Sequence, residues 1–168
     1  ILSGHIKTDD GDVVSIPTKR LEAVTDILDE SSSKAIIWSR FRHDIVSITS
    51  ELNKKYGTGS AAAYFGDTSD DERNRIVRDF QDPKSKLRYL IGNPSTAGYG
   101  LTLTEANLVI YYANDFNLAT RMQSEDRAHR IGQNNPVTYV DLICEGTIDE
   151  KIVSALQAKI DISAKVLG

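Results

Sequence analysis

Five short apolar runs set between helical stretches constrain this chain more than any other feature. They are AIIWS (35–39), AAAYF (61–65), RYLI (88–91), LVIYYA (108–113) and VTYVDLI (137–143), each fit for a buried strand. Between them apolar residues return at helical spacing: Leu21, Val24, Ile27 and Leu28; then Ile45, Ile48 and Leu52, stopping near Gly57; then Ile76, Val77 and Phe80. Ser69-Asp70-Asp71-Glu72 reads as a capping box for the third of these helices. Thr120-Arg121-Met122-Gln123 reads as a box opening a helix that runs to about Ile131 and ends at Gly132. Thr147-Ile148-Asp149-Glu150 caps the last. The alternation predicts a three-layer α/β domain with a mainly parallel central sheet and helices on both faces, spanning 18–168, after an irregular or hairpin-like lead-in at 1–17. In such sheets ligands bind beyond the carboxyl ends of the strands, and there fall the polar segments 39–41, 66–68, 92–100 and 114–117.

Composition narrows the function. A single cysteine, Cys144, excludes an internal disulfide, and with three scattered histidines it gives no metal-ligand spacing. No apolar run approaches the ~18 to 20 residues of a membrane span, so no membrane partner is expected. The formal charge of -4 argues against holding nucleic acid by overall electrostatics and leaves that task to local patches or backbone amides. The chain opens on Ile1 without the regions of a signal peptide, and reads as an intracellular piece of a longer polypeptide.

The common nucleotide motifs are missing. No glycine is followed by lysine, so there is no GxxxxGK[ST] phosphate loop, and the third glycine of a dinucleotide fingerprint begun at Gly98 and Gly100 falls on Leu103. In Ile27-Leu28-Asp29-Glu30 helical spacing fits better than a metal-positioning strand. STAGYGL (95–101) offers hydroxyls and open N–H groups to phosphates, or merely makes a tight turn. QSEDRAHRIGQ (123–133) sets Gln123, Arg127 and Arg130 at i, i+4 and i+7 on one helical face, with Ser124, Ala128 and Ile131 on a face suited to packing. Such a helix is either solvated surface, with Glu125, Asp126 and Arg130 in ion pairs, or two forked guanidiniums poised to hold a triphosphate. His129 reads as structural, Cys144 as inert core, and Arg40, Arg42, Lys84, Lys86 and Arg88 as basic patches or plain solvated surface.

Several of these stretches, in this order, resemble the Swi/Snf-type DNA translocases of helicase superfamily two. KAIIWSRF (34–41) is similar to that family's motif IV, GDTSDDER (66–73) to the turn and helix after it, and NPSTAGYGLTLTEA (93–106) to motif V. QSEDRAHRIGQ closely resembles motif VI, and VTYVDLICEGTIDEKI (137–152) the segment beyond; the resemblance covers about 18–155. It implies the second, RecA-like lobe of a two-lobed ATP-driven motor, a P-loop-NTPase-like domain whose partner is the N-terminal RecA-like lobe of the same polypeptide. That first lobe would bring the phosphate loop and the acids that bind Mg²⁺. ATP and Mg²⁺ would then serve the full protein, with neither bound tightly by this chain alone.

On the same resemblance Arg127 and Arg130 would be arginine fingers, with Gln123, Gly98 and Gly100 beside the nucleotide. Ser39, Arg40, Ser95 and Thr96 would contact the backbone of double-stranded DNA, independently of sequence and without strand separation. The chain departs from the family at Gly98-Tyr99, where a double glycine is usual, at Thr102, where Asn is common, and at Phe116-Asn117-Leu118, where Trp-Asn-Pro is usual. The absence of a large insertion between the motifs resembles phage and bacterial members. The competing expectations are a non-motor module that keeps the fold as a DNA or protein platform, and an RNA-helicase lobe, which this form of motif VI disfavours.

Overall fold

The computed structural model describes residues 5–7, 13–15, 19–95 and 101–167. Two short strands, β1 (His5–Lys7) and β2 (Val13–Ser15), pair antiparallel, so the lead-in contains a hairpin-like element. The rest follows in the order α1 (Arg20–Asp29), β3 (Lys34–Trp38), α2 (Arg42–Tyr56), β4 (Ala61–Tyr64), α3 (Asp70–Gln81), β5 (Tyr89–Gly92), β6 (Ala106–Tyr111), α4 (Leu118–Glu125), β7 (Thr138–Asp141) and α5 (Ile148–Leu167). Strands β3 to β7 form one five-stranded sheet in the order β4-β5-β3-β6-β7, every pair parallel.

Strand register explains why the runs are apolar throughout. Ala62, Leu90, Ile36, Val109 and Tyr139 stand side by side in one row across the sheet; the next row is Ala63, Ile91, Ile37, Ile110 and Val140. Successive side chains point to opposite faces. The first row joins a core with Ile76 and Phe80 of α3, the second a core with Val24 and Leu28 of α1 and Ile45, Ile48 and Leu52 of α2. Both faces are therefore covered, as a parallel sheet requires.

Helix ends are fixed by identifiable groups. Ser69 accepts a bond from the Glu72 N–H at 3.4 Å, as a capping serine should. At the other end of α3 the buried Lys34 ammonium donates to the carbonyls of Phe80 and Asp82, each at 2.7 Å, meeting the negative end of the helix dipole. Burial lowers the pKa of this ammonium. Gly57, with φ of +99°, ends α2 in a conformation that side chains other than glycine rarely adopt.

A buried ion pair closes the domain. Arg20 of α1 bonds to Asp149 at the start of α5, to the Tyr112 carbonyl and, through Nε at 3.2 Å, to the Cys144 sulfur. Cys144 is thus a half-buried free thiol that accepts a bond, where inert core was expected. No helix among the described residues is long and apolar enough to cross a membrane.

One row of the sheet decides the geometry above it. Tyr64, Gly92, Trp38, Tyr111 and Asp141 form the last paired row, at the carboxyl ends of the strands. A Cβ on Gly92 would lie 3.1 Å from the Tyr64 carbonyl oxygen and 3.3 Å from the Trp38 ring. Gly92→Ala should therefore destabilise the domain by about 1–3 kcal/mol through overpacking. Urea unfolding would check this, and an unchanged midpoint would contradict it.

Candidate functional site

The site rises from that last row. The Tyr111 hydroxyl lies 2.6 Å from Ser124 Oγ, and since Ser124 donates its own hydrogen to the Arg121 carbonyl at 2.7 Å, Tyr111 is the donor between them. Burial pushes the Tyr111 hydroxyl pKa well up. Above its ring, at 3.5 Å from the centroid, sits the Arg121 guanidinium. Arg121 also bonds Asp141 at 2.5 Å, Glu125 at 2.5 Å and Asn114 at 3.1 Å. This half-buried set pins α4 to the ends of β6 and β7.

Helix α4 is shorter than the sequence predicts. It starts at the cap Asn117, whose Oδ1 accepts from the Thr120 N–H at 3.1 Å, rather than at a box on Thr120, and it ends at Glu125 instead of near Ile131. The physical reason lies in its carbonyls. The Arg127 carbonyl, which would have extended the helix, accepts instead from the Leu103 N–H at 2.9 Å, and the Ala128 carbonyl from Gln133 Nε2 at 3.2 Å. The chain therefore turns, and Gly132 takes φ of +105°.

The expected helical faces change with it. Gln123 stays exposed on α4, and Ser124 and Ala128 pack inward as expected. Arg127, expected to face outward, is only 8% exposed; Ile131, expected to pack inward, is 100% exposed. Arg130 is exposed and donates to Thr102 Oγ1 at 3.1 Å. His129 is exposed, and the Glu125 carboxylate one turn before it goes to Arg121.

Arg127, Arg130 and Ile131, with Asp126 and His129, line an open cleft of about 530 Å³. Arg127 Nε is buried and finds no hydrogen-bond partner among the described residues. Its pKa is lowered first by burial and then by the positive charge of Arg130. A buried cationic N–H left without an acceptor is costly, and an anionic acceptor would offset that cost most strongly. The donors fit phosphate rather than metal, and among the described residues no cluster of three His, Cys, Asp or Glu side chains could hold a metal ion.

A second group of polar residues lies at the ends of β3 and β5. Ser39 is buried and donates its hydroxyl to Asp44 at 3.0 Å, so it fixes the start of α2 from within. Arg40 is exposed, its guanidinium 5.7 Å from the centre of the Phe41 ring. Asn93 joins the two loops: its amide donates to the Arg40 carbonyl at 2.9 Å, and its Oδ1 accepts from the Ser95 N–H at 2.9 Å and the Ser95 hydroxyl at 2.6 Å. Arg42 is held by both oxygens of Asp67 at 2.9 Å, over the Phe65 ring. Thr96, Gly98 and Gly100 lie outside the described residues.

Sequence reasoning missed the residues that tie the parts together. Gln133 donates to the carbonyls of Thr104 at 2.8 Å, Ala106 at 2.9 Å and Ala128, and accepts from the Asn135 N–H at 3.0 Å. Gln81 grips the same segment from α3, bonding Thr104 Oγ1 and the Glu105 N–H, each at 3.1 Å. Segment 101–106 is thereby bonded to the turn that carries both arginines. Gln133 closes QSEDRAHRIGQ, so its place in the motif was visible; its carbonyl partners were not.

A family model described as the helicase conserved C-terminal domain matches residues 19–132. The SWI/SNF chromatin-remodeling complex subunit snf22 of Schizosaccharomyces pombe is 39% identical over 102 residues, covering 61% of this chain and 6% of that protein. The human chromatin-remodeling ATPase INO80 is 38% identical over 61% of this chain and 7% of its own length. The Saccharomyces cerevisiae TATA-binding protein-associated factor MOT1 is 31% identical over 82% of this chain and 7% of its own length. The chain thus spans less than a tenth of these relatives. Among solved structures, the C-terminal part of the Fun30 ATPase domain superposes with a TM-score of 0.72 at 26% identity, over 82% of this chain and 44% of that one.

Removing the Gln133 amide strands three carbonyls at once. Gln133→Ala should destabilise the domain by about 1–3 kcal/mol. Chemical denaturation measures it, and a wild-type midpoint would mean that the clamp is idle.

Proposed function

The chain belongs to the helicase conserved C-terminal domain family and is a C-terminal helicase lobe of Swi/Snf type, and on that premise we propose that it is the second motor lobe of a two-lobed protein that couples ATP hydrolysis to translocation along double-stranded DNA. The first lobe of the same polypeptide holds the phosphates and Mg²⁺. Arg127 and Arg130 reach across the cleft to the triphosphate and neutralise charge as its terminal bond breaks. Gln123, on the exposed side of α4, and Gly98 and Gly100, which fall between β5 and β6 in sequence, border the nucleotide.

One observation carries this reading: the buried Arg127 guanidinium has an Nε without a partner among the described residues, and it shares a cleft with Arg130. Two guanidiniums lining one cleft repel, and an anion between them would offset that repulsion. Two of the relatives, a chromatin-remodeling complex subunit and a chromatin-remodeling ATPase, fit the same reading.

DNA contact belongs to the other group of residues. Arg40 and Ser95, brought together by Asn93, present a charge and a hydroxyl on the carboxyl side of the sheet, with Thr96 next in sequence and Ser39 bracing the loop behind them. Contacts limited to phosphates make binding independent of sequence and sensitive to salt. With a net charge of -4 over the chain, that grip is local.

In the full two-lobed protein, Arg127→Ala and Arg130→Ala should each lower DNA-stimulated ATP turnover by about 10³-fold or more while leaving DNA affinity nearly unchanged. This chain alone should hydrolyse no ATP. Near-normal turnover by both variants would refute the finger roles, and robust turnover by the chain alone would refute the division of labour between lobes.

A further inference from the structure

The turn that holds the arginines also holds an isoleucine where none is expected. Ile131 follows Arg130 directly and is 100% exposed, on the rim of the same cleft. Its placement is built. Gln133 draws the turn inward through the Ala128 carbonyl, the Gln133 N–H bonds the Arg130 carbonyl at 2.9 Å, and Gly132, with φ of +105° and open space around it, projects the segment between them. A lone exposed aliphatic residue is ordinary on a protein surface; one held fully clear of its own domain beside two cations is not explained by the fold of this lobe.

We infer that Ile131 is a contact residue of the closing interface, an apolar knob that packs against the first lobe when the cleft shuts. The inference rests on the proposed two-lobe function. If Arg130 reaches a phosphate carried by the first lobe, Ile131, whose Cα is only about 3.8 Å away along the chain and which lines the same cleft, is brought close to the surface that carries the phosphate. The nucleobase, at the far end of the triphosphate, is a poorer occupant. The Gln133 amide beside Ile131 is committed to three carbonyls and the Asn135 N–H, so it is not available to read the edge of a base.

In this arrangement burial of Ile131 is gained only in the closed state, so it favours closure and with it the chemistry. The arginines alone would draw the lobes together through charge. Ile131 adds an apolar contact that salt does not screen.

The test uses the full two-lobed protein with DNA. Ile131→Ala should lower kcat/KM for ATP about tenfold, Ile131→Asp more, and Ile131→Leu should restore it to within about twofold. Fluorescence transfer between dyes on the two lobes should report fewer closed molecules with a non-hydrolysable ATP analogue for the Ala and Asp variants. The melting midpoint without nucleotide should stay that of wild type for all three, because the side chain is fully exposed in this lobe. The Ala variant should lose as much with GTP as with ATP; a loss confined to ATP would make Ile131 a base contact and overturn the inference. Wild-type closure and turnover in the Ala and Asp variants, with Arg130→Ala inactive, would overturn it too while leaving the proposed function standing. Activity in both arginine variants would instead remove the premise.

Discussion

The architecture of the site depends on how tightly one row of the sheet is packed. Gly92 lies between Trp38 and Tyr64, where a Cβ would sit only 3.1–3.4 Å from their atoms, and next to Trp38 in the same row stand Tyr111 and Asp141. Those two residues bind α4 from below, Tyr111 through Ser124 and the face of its ring, Asp141 through Arg121. With α4 fixed at its base, the turn after it is left to present Arg127 and Arg130. Interior packing is close to crystalline in density, so a shift in this row would be passed upward rather than absorbed.

The same turn is bonded to segment 101–106 through Leu103, Thr102 and Gln133. At the ends of β3 and β5, Asn93 in turn holds the Arg40 carbonyl and Ser95. The turn proposed to meet nucleotide and the loop ends proposed to meet DNA are thus each held by their own bonded set of side chains. Arg127 and Arg130 line one cleft, and the buried Arg127 Nε has no hydrogen-bond partner among the described residues, which leaves it open to an acceptor.

Much of this was legible in the sequence. The five strands could be read because residues such as Ile36 and Ile37 are buried on opposite faces, which leaves a continuous apolar run. Ser69 could be read as a cap because that chemistry is local. The end of α4 could not. Its spacing is helical through Ile131, but the carbonyls of Arg127 and Ala128 are claimed by Leu103 and Gln133, and such tertiary partners leave no local pattern. The inverted exposure of Arg127 and Ile131 follows from that one error. The Arg20–Asp149 pair joins residues 129 positions apart, and nothing near either residue announces it. Ser39 was legible as a residue of the site edge; that its hydroxyl turns in toward Asp44 was not.

The central claim is that Arg127 and Arg130 complete a phosphate site whose other half lies on a separate lobe. The most direct measurement is a structure of the full two-lobed protein on DNA with a transition-state mimic of the terminal phosphate. The account predicts guanidinium nitrogens of both residues at about 2.7–2.9 Å from the mimic's oxygens, with Arg127 Nε no longer unpartnered. A closed, nucleotide-bound structure in which both side chains pair with carboxylates of their own lobe, out of reach of the phosphate, would contradict it.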